Sequence, residues 1–388
     1  MRNPYDLCII GGGIIGCAVA FYSARLGLRP ILLERGALAG GSSGINPGTV
    51  SLATKAPGEH ATLALAGIGE FAWLEDCLGG TFDYVQAGSL VIFETGEERA
   101  FAERHAEGLK ACGVDIAVVG AGEARNIQPI LEGPIQGALW SPRDLLVNSG
   151  KLTRALAAAA SKAGAEIREQ SPVDGVAAVA GNWTIHSNGQ DVSARWLVNA
   201  AGVGAPAVAE WVGLNHDIFP RKGQLLETTP VPAAAPVRVT SVQELLRKQG
   251  RKMTVQPGPS VDVGLTPQRS GAVFLGGTQE RVGLDASLDP ATLGTIAIKA
   301  ARLFPSLSHG AIVRAWCGFR PATPNGHPLV GTMPACSNYI IAGGHGGDGV
   351  ALAPITGRYV AELVQRQGSL PAFAHYAAQR LSQSVSAS

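Results

Sequence analysis

Apolar positions near the start of the chain fall into two short runs. Tyr5-Asp6-Leu7-Cys8-Ile9-Ile10 stops at Gly11-Gly12-Gly13, and Pro30-Ile31-Leu32-Leu33 stops at Glu34-Arg35. Runs this short, closed by glycine or by charge, predict buried strands. The small and apolar residues from Cys17 to Gly27 predict a helix between them. His60 to Leu78 carries apolar residues at Leu63, Leu65, Ile68, Phe71, Trp73 and Leu74, a spacing that predicts one helix. Phe82 to Phe93 alternates loosely as strands, and Glu97 to Cys112 reads as a solvated amphipathic helix. Ser149 to Gly164 is an alanine-rich helix with Ser149 as its N-cap and Gly164 just past its end. Strands are expected at Glu166-Ile167, at Val173 to Val179, and through Ile185 after a Gly181-Asn182 turn. Arg195 to Gly202 is a further buried strand that ends in small residues and returns the chain to the first sheet.

From Arg221 to Arg314 the texture changes to short β segments: Gly223 to Glu227, Val237 to Val242, Met253 to Val255, Val261 to Leu265 and Ala272 to Gly276. They predict an antiparallel sheet, with Leu288 to Leu303 as the only helix in that span. An Ala/Pro stretch from Pro230 to Pro236 interrupts it, and a polar tail follows Leu381. Asn338 to Ala342 then reads as a strand, Gly343 to Gly349 as a glycine loop and Val350 to Gln365 as a helix. The C-terminal segment thus repeats the strand, glycine loop and helix of the N-terminus.

Gly11, Gly13 and Gly16 stand in the G-x-G-x-x-G spacing. The first glycine permits a tight turn, the second lets a pyrophosphate approach the backbone, and the third lets helix and strand pack closely. The helix that follows aims its N-terminus at the phosphates. Glu34 ends the next strand, where a carboxylate accepts hydrogen bonds from ribose hydroxyls. This is a βαβ unit for a dinucleotide. Arg35 beside Glu34 leaves a 2′-phosphate open, so these residues alone do not choose between dinucleotides. The loop Gly40-Gly41-Ser42-Ser43-Gly44-Ile45-Asn46-Pro47-Gly48 lies beside the phosphates. Two helix N-termini converging on one ligand suit a long cofactor, FAD.

A chain of 388 residues exceeds the size at which one hydrophobic core keeps growing, so two domains are expected. With 31 Lys+Arg against 30 Asp+Glu and no block of like charge, binding to nucleic acid or to an anionic membrane is disfavoured. The longest apolar runs are too short to span a bilayer, and the first strand begins too near Met1 for a secretory signal. A cytoplasmic protein with no transmembrane segment is the expectation. Six cysteines, Cys8, Cys17, Cys77, Cys112, Cys317 and Cys336, show no C-x-x-C and no Cys/His cluster. Neither a metal site nor a disulfide framework is expected, and most of the cysteines read as small buried hydrophobes.

Four stretches in fixed order carry a family resemblance. They are Asp6-x-x-Ile9-Ile10-Gly11-Gly12-Gly13-Ile14-Ile15-Gly16, Val198-Asn199-Ala200-Ala201-Gly202, Gly318-Phe319-Arg320-Pro321-Ala322-Thr323-Pro324-Asn325-Gly326-x-Pro328 and Gly343-Gly344-His345-Gly346-Gly347-Asp348-Gly349-Val350. In them the chain resembles the D-amino-acid-oxidase-like FAD-dependent oxidoreductases over nearly its whole length. It looks closest to glycine oxidase, D-amino-acid dehydrogenase and the flavin-carrying β subunits of opine and hydroxyproline dehydrogenases, with Ser43 to Val50 tilting the likeness toward the last. The resemblance implies an α/β fold, α+β overall: a Rossmann-like FAD-binding domain (1–80, 145–220, 318–388) and a mainly antiparallel β-sheet substrate-binding domain (81–144, 221–317). Gly11, Gly13, Ile15 and Gly16 would face the pyrophosphate, Glu34 and Arg35 the adenosine ribose, and Ser42 and Ser43 the phosphates. Val173 would meet the adenine side, and Ala200, Ala201 and Gly202 would pass under the cofactor. Gly344, Gly346, Gly347, Asp348, Gly349 and Val350 would approach the flavin. Arg320 corresponds to the arginine that binds a substrate carboxylate.

The substrate strand Val263-Gly264-Leu265-Thr266-Pro267 lacks the tyrosine of glycine oxidase, and no lysine there matches the oxygen-activating lysine of sarcosine oxidases. That favours a dehydrogenase of an amino acid or amine bearing a carboxylate, working with a partner subunit that carries an iron–sulfur cluster or a second flavin. A stand-alone glycine or D-amino-acid oxidase is the alternative. From other classes come a flavin-binding subunit without a substrate and the FAD half of a tRNA-modifying enzyme, the latter disfavoured by the lack of a basic stripe.

Oxidation at an α-carbon asks little of protein side chains beyond orientation and a fixed cation. Arg320 offers a planar fork for a carboxylate, against the alternative of a structural ion pair. His345, between glycines, is a candidate hydrogen-bonding group or base, against a surface-loop histidine. Asp348 reads as a turn or N-cap residue. Lys222 and Gln224 sit at the crossing between domains, His60 and Lys55 near the substrate entrance, and Trp316 and Phe319 in core or pocket wall.

Overall fold

The computed structural model describes residues 4–231, 234, 236–248 and 260–377. Strands Glu166–Arg168, Pro30–Leu33, Tyr5–Ile10, Gln190–Asn199 and Cys336–Gly343 lie side by side and parallel, in that order. The hairpin Val173–Val179/Asn182–Ser187 pairs antiparallel with the first half of Gln190–Asn199, and Leu329–Met333 closes the far edge. Alternation explains why this sheet is buried on both faces. Leu7, Ile9, Leu32, Val198 and Ile340 point into one core with the helices Ile14–Arg25, Ser149–Lys162 and Gly349–Gln365. Cys8, Ile10, Ile31, Leu33, Leu197 and Ile341 point into another, covered by the hairpin residues Trp183 and Ile185 and by Ala205 and Val208 of a short helix.

The second sheet has eight strands, ordered Ile312–Ala322, Phe219–Thr228, Val273–Gly276, Leu265–Pro267, Arg238–Ser241, Ser89–Phe93, Gly137–Ser141 and Ala117–Gly120. Its pairs are antiparallel except Arg238–Ser241 on Ser89–Phe93, which is parallel. Helix Pro290–Leu303 covers it through Ile296, Ala300 and Leu303, with its N-terminus capped by Asp289.

Several sequence expectations are corrected. The helix over 60–78 is two helices, Glu59–Ile68 and Phe71–Leu78, separated at Gly69 and Glu70. The alanine-rich helix is capped by Asn148, whose Oδ1 accepts from the Lys151 N–H at 2.9 Å, while Ser149 Oγ donates to the Ser43 carbonyl at 2.7 Å. Leu288 to Leu303 is not the only helix of its span. Val242–Lys248 is also helical, with Val242, Leu245 and Leu246 buried at i, i+3 and i+4. Only Cys8 and Cys17 of the six cysteines are buried; Cys77 is exposed, and all six are free. The strand expected at Met253 to Val255 and the tail after Leu381 lie outside the described residues.

Helices Ile14–Arg25 and Gly349–Gln365 touch backbone to backbone, since a Cβ at Gly357 would sit 2.7 Å from the Ala18 carbonyl carbon. Both helices begin at the edge of the same cleft. Gly357→Val therefore forces them apart. We expect it to destabilise the protein by about 1–3 kcal/mol, read as a lower urea midpoint at unchanged m-value. An unchanged midpoint means the helices are not in contact there.

Candidate active site

The first glycine turn is dictated by sterics. Gly11 adopts φ +114°, and a Cβ on it would lie 2.5 Å from the Ala200 carbonyl oxygen. A Cβ on Gly16 would overlap the Gly11 carbonyl, so this glycine lets the helix sit on the strand and does not line the cleft. Gly13 is the N-cap and has no side chain to fill the space beyond the helix terminus; a Cβ there would meet only Ser43 Oγ, at 3.2 Å. Ser43 Oγ accepts from the Ile14 N–H at 2.9 Å. Glu34 is oriented by two backbone donors, Gly12 N–H to Oε2 at 2.6 Å and Gly36 N–H to Oε1 at 2.8 Å. Asn46 pins the serine loop by donating to the Ser42 and Ser43 carbonyls at 2.8 and 3.1 Å. Ser42 Oγ donates to the Phe319 carbonyl, tying this loop to the strand that bears Arg320. Buried Asn199 donates to the Ala205 carbonyl and to Tyr339 Oη, both at 2.8 Å, and so holds the Ala200 to Gly202 turn.

At the other end, the Gly346 N–H donates to the Pro321 carbonyl at 2.8 Å and fastens the C-terminal glycine loop to the same strand. Asp348 occupies the N-cap position of the last helix, but its carboxylate makes no cap bond. It pairs with the buried ammonium of Lys55.

These groups surround one cleft of about 570 Å³ between the two sheets. Gly11, Gly13, Ile15, Glu34, Arg35, Ser42, Ser43, Ala200, Ala201, Gly202, Arg320, His345, Gly346, Gly347, Asp348, Gly349 and Val350 all line it. Three expected contacts do not: Gly16, for the packing reason above, Val173, and Gly344. Val173 packs against the core beneath its hairpin, and Gly344 turns (φ +73°) against Leu329 and Thr323.

Alternation along two paired strands sorts the remaining candidates. In the register of Phe219–Thr228 on Ile312–Ala322, Arg221 faces Arg320 and Gly223 faces Gly318, all four lining the cleft. The Arg320 guanidinium lies over the bare Cα of Gly223, which a Cβ would displace, and its Nη1 donates to the Thr278 carbonyl at 3.1 Å. Lys222 and Gln224 point the opposite way, away from the cleft. Lys222 Nζ donates to the Ser287 carbonyl at 2.5 Å, and Gln224 bridges Glu280 Oε1 and the Asp289 N–H, each at 3.0 Å. Trp316 Nε1 donates to the Ile45 carbonyl at 2.9 Å, and Phe319 lines the cleft. His60 packs on His327, with the two Nε2 atoms 3.1 Å apart, outside the cleft lining.

His345 lines the cleft, yet the structure does not support it as a base. Its Nε2 lies 3.1 Å from Thr356 Oγ1, and burial pushes the imidazole down to about 4 against the pull of Asp348. It is neutral at physiological pH and too weakly basic to take a proton from an ammonium group. Sequence reasoning missed Arg221. The available signal was the pair of adjacent cations Arg221-Lys222 before Gly223 in a strand, since alternation sends one of them to the same face as the glycine.

The pattern of the family described as FAD dependent oxidoreductase (DAO) matches residues 6–363, and the chain belongs to this family. It is 28% identical over 376 residues to a glycine oxidase of Geobacillus kaustophilus, covering 95% of this chain and 94% of that protein. It is 31% identical to the bifunctional protein ThiO/ThiG of Trichormus variabilis, covering 96% of this chain but 54% of the longer relative. Among solved structures it resembles the G. kaustophilus glycine oxidase with TM-score 0.84, at 27% identity, with 97% and 98% of the two chains covered. It shares the fold of an L-proline dehydrogenase from P. horikoshii, with TM-score 0.82, at 23% identity, with 99% of each covered. The chain is an FAD-dependent oxidoreductase. No described helix is long and apolar enough to cross a membrane.

Two outcomes follow. Gly223→Ala moves the Arg320 guanidinium, a flexible side-chain end, rather than backbone; we expect near-native thermal stability and FAD content, with substrate KM raised at least tenfold. An unchanged KM means Arg320 does not depend on that floor. For pH, the unfolded chain protonates His345 near pH 6.5 and the folded chain only near 4. Between these values the unfolded state binds more protons, so stability is intact above about pH 6.5 and falls on acidification toward pH 4, by up to about 3 kcal/mol. His105 and His216, also lowered by burial, act with the same sign. A scan of melting temperature from pH 7 to pH 4.5 checks this, and His345→Gln should flatten its slope.

Proposed function

We propose that the chain oxidises an amino acid or a secondary amine next to a carboxylate to an imine, which water then hydrolyses. The observation that carries this reading is Arg320: a buried guanidinium, held by a backbone carbonyl, with no carboxylate within ion-pair distance among the described residues. A charge in that state is costly unless an anion arrives to share the site.

The FAD site fits the open helix terminus at Gly13, the oriented Glu34 carboxylate and the glycine loop at the start of the last helix. Gly11, Gly13, Ser42 and Ser43 would hold the pyrophosphate, Glu34 and Arg35 the ribose, and Gly346 to Val350 the flavin end, with residues 1–80, 145–220 and 318–388 as the cofactor domain. Bound there, FAD supplies the hydride acceptor for the α-carbon. Arg320 fixes the substrate carboxylate through two parallel hydrogen bonds and so orients the α-carbon. Leu225, Phe274 and Phe319 give the cleft apolar wall and exclude water from the reacting atoms. The neighbouring guanidiniums of Arg320 and Arg221 lower the proton affinity of an ammonium group, which releases its proton to solvent and leaves the neutral amine that oxidation needs.

We also propose that electrons leave to an acceptor other than dioxygen, through a partner subunit. Lys55, the one cleft-lining lysine among the described residues, comes from the loop after Thr54 and is tied to Asp348, while Lys222 of the substrate sheet points away. The free cysteines agree with a cytoplasmic setting. A stand-alone oxidase is the second reading, favoured by relatives described as glycine oxidases.

Glycine, sarcosine and D-amino acids should reduce an artificial dye in the presence of the enzyme faster than peroxide appears; equal rates establish the oxidase reading. Arg320→Met should lower kcat/KM roughly ten- to more than a hundredfold, from about 1.5–3 kcal/mol of charge-assisted bonding. FAD released by acid denaturation should remain stoichiometric. Arg320→Lys should not restore activity, because an ammonium lacks the fork. Normal turnover by Arg320→Met overturns the assignment.

A further inference from the structure

Arg221 and Arg320 are direct cross-strand partners in an antiparallel pair, so their side chains leave the same face of the sheet from neighbouring points. Like charges in that relation repel, and burial adds to the cost. The Arg221 Nε is buried and has no hydrogen-bond partner, and its Nη2 lies beside the glycine loop, where a Cβ added to Gly346 would meet it at 3.5 Å. Burial is the larger cause of the lowered proton affinity of Arg221, and the Arg320 guanidinium adds to it.

The acidic groups nearby are committed. Asp348 pairs with Lys55, Glu244 lies 3.1 Å from Arg238, and Asp262 pairs with Arg247. No ion pair within 4.0 Å joins either Arg221 or Arg320 to a described carboxylate. At this end the cleft therefore carries two guanidiniums without a direct ion pair; Glu244 and Asp348 act on Arg320 and Arg221 only from beyond ion-pair distance, each while bound to another cation. One substrate carboxylate on Arg320 neutralises one of the two guanidiniums.

We propose that Arg221 binds a second carboxylate of the substrate, so that the amine oxidised here is a dicarboxylic one, with one acid group on Arg320 and the other on Arg221. This rests on the reading of the cleft as an amine-oxidising site. The binding assay below involves no turnover, so it separates failure of the two. If no amine is oxidised but the binding pattern holds, the dicarboxylate site stands and the reaction assignment falls.

The holoenzyme is titrated with two unreactive thioethers, thiodiglycolate, which has two carboxylates, and (methylthio)acetate, which has one, and binding is read from the shift in flavin absorbance. The wild type should bind thiodiglycolate at least tenfold more tightly. Arg221→Met should weaken thiodiglycolate ten- to a hundredfold and change (methylthio)acetate less than threefold, whereas Arg320→Met weakens both. In turnover, N-(2-carboxyethyl)glycine should exceed its uncharged isostere N-(3-methylbutyl)glycine in kcat/KM, and Arg221→Met should abolish that preference. If Arg221→Met loses FAD, Arg221→Gln replaces it in the same titration. Equal weakening of both thioethers means that the two arginines grip a single carboxylate, and no weakening of either means that Arg221 serves the fold or the cofactor. Either result overturns the proposal.

Discussion

Backbone meeting backbone without a side chain between them is the constraint from which the site follows. At Gly11 the turn runs against the Ala200 carbonyl, at Gly16 the first helix rests on the Gly11 carbonyl, and at Gly357 the last helix rests on Ala18. These contacts bring two helix N-termini and the Ala200 to Gly202 turn to one edge of the parallel sheet. A single added methyl group at any of them would have to push a main chain aside, and a close-packed interior yields little. The glycines near the cofactor cleft are therefore of two kinds: Gly11, Gly16 and Gly357 set distances between elements, whereas Gly13, Gly346 and Gly347 leave room at the surface of the cleft itself.

The second sheet contributes by register. Its strand Ile312–Ala322 is clamped to the first unit from both ends of the cleft, since Ser42 Oγ bonds to the Phe319 carbonyl and the Gly346 N–H to the Pro321 carbonyl. Phe219–Thr228 is locked to that strand over ten residue pairs. A slip of one residue would exchange Arg221 and Gly223 for Lys222 and Gln224 on the cleft face, replacing the guanidinium and its bare floor with side chains that now serve Glu280, Ser287 and Asp289. The site's chemistry is thus set by strand pairing between segments about a hundred residues apart.

This separates what could be read from the chain from what could not. The βαβ unit was legible because glycine spacing, strand, helix and Glu34 all lie within one local stretch, and Arg320 was legible because it sits inside a contiguous motif. Strands Ala117–Gly120 and Gly137–Ser141 and the parallel pairing of Arg238–Ser241 with Ser89–Phe93 were not. The first two are short and pair across an intervening helix, and Arg238–Ser241 meets a strand from far earlier in the chain. Arg221 acquires its meaning only from standing opposite Arg320. His345 was correctly located in the loop, but its neutrality comes from burial beside Thr356, a tertiary contact no spacing announces.

The two ends of the cleft treat charge in opposite ways. Glu34 has both oxygens engaged by backbone N–H groups, so it is positioned before any ligand arrives. Arg320 keeps one bond to a carbonyl, and Arg221 leaves its Nε unmet. A fold can tolerate such a defect only where the remaining packing overdetermines the strand, as the ten-pair register does here. On the reading proposed above, an acid group on each guanidinium would relieve their repulsion, so the arrangement would favour a ligand with two negative charges over an amine lacking an acid group. Selectivity of this kind comes from the cost of leaving the wrong ligand in place as much as from contacts to the right one.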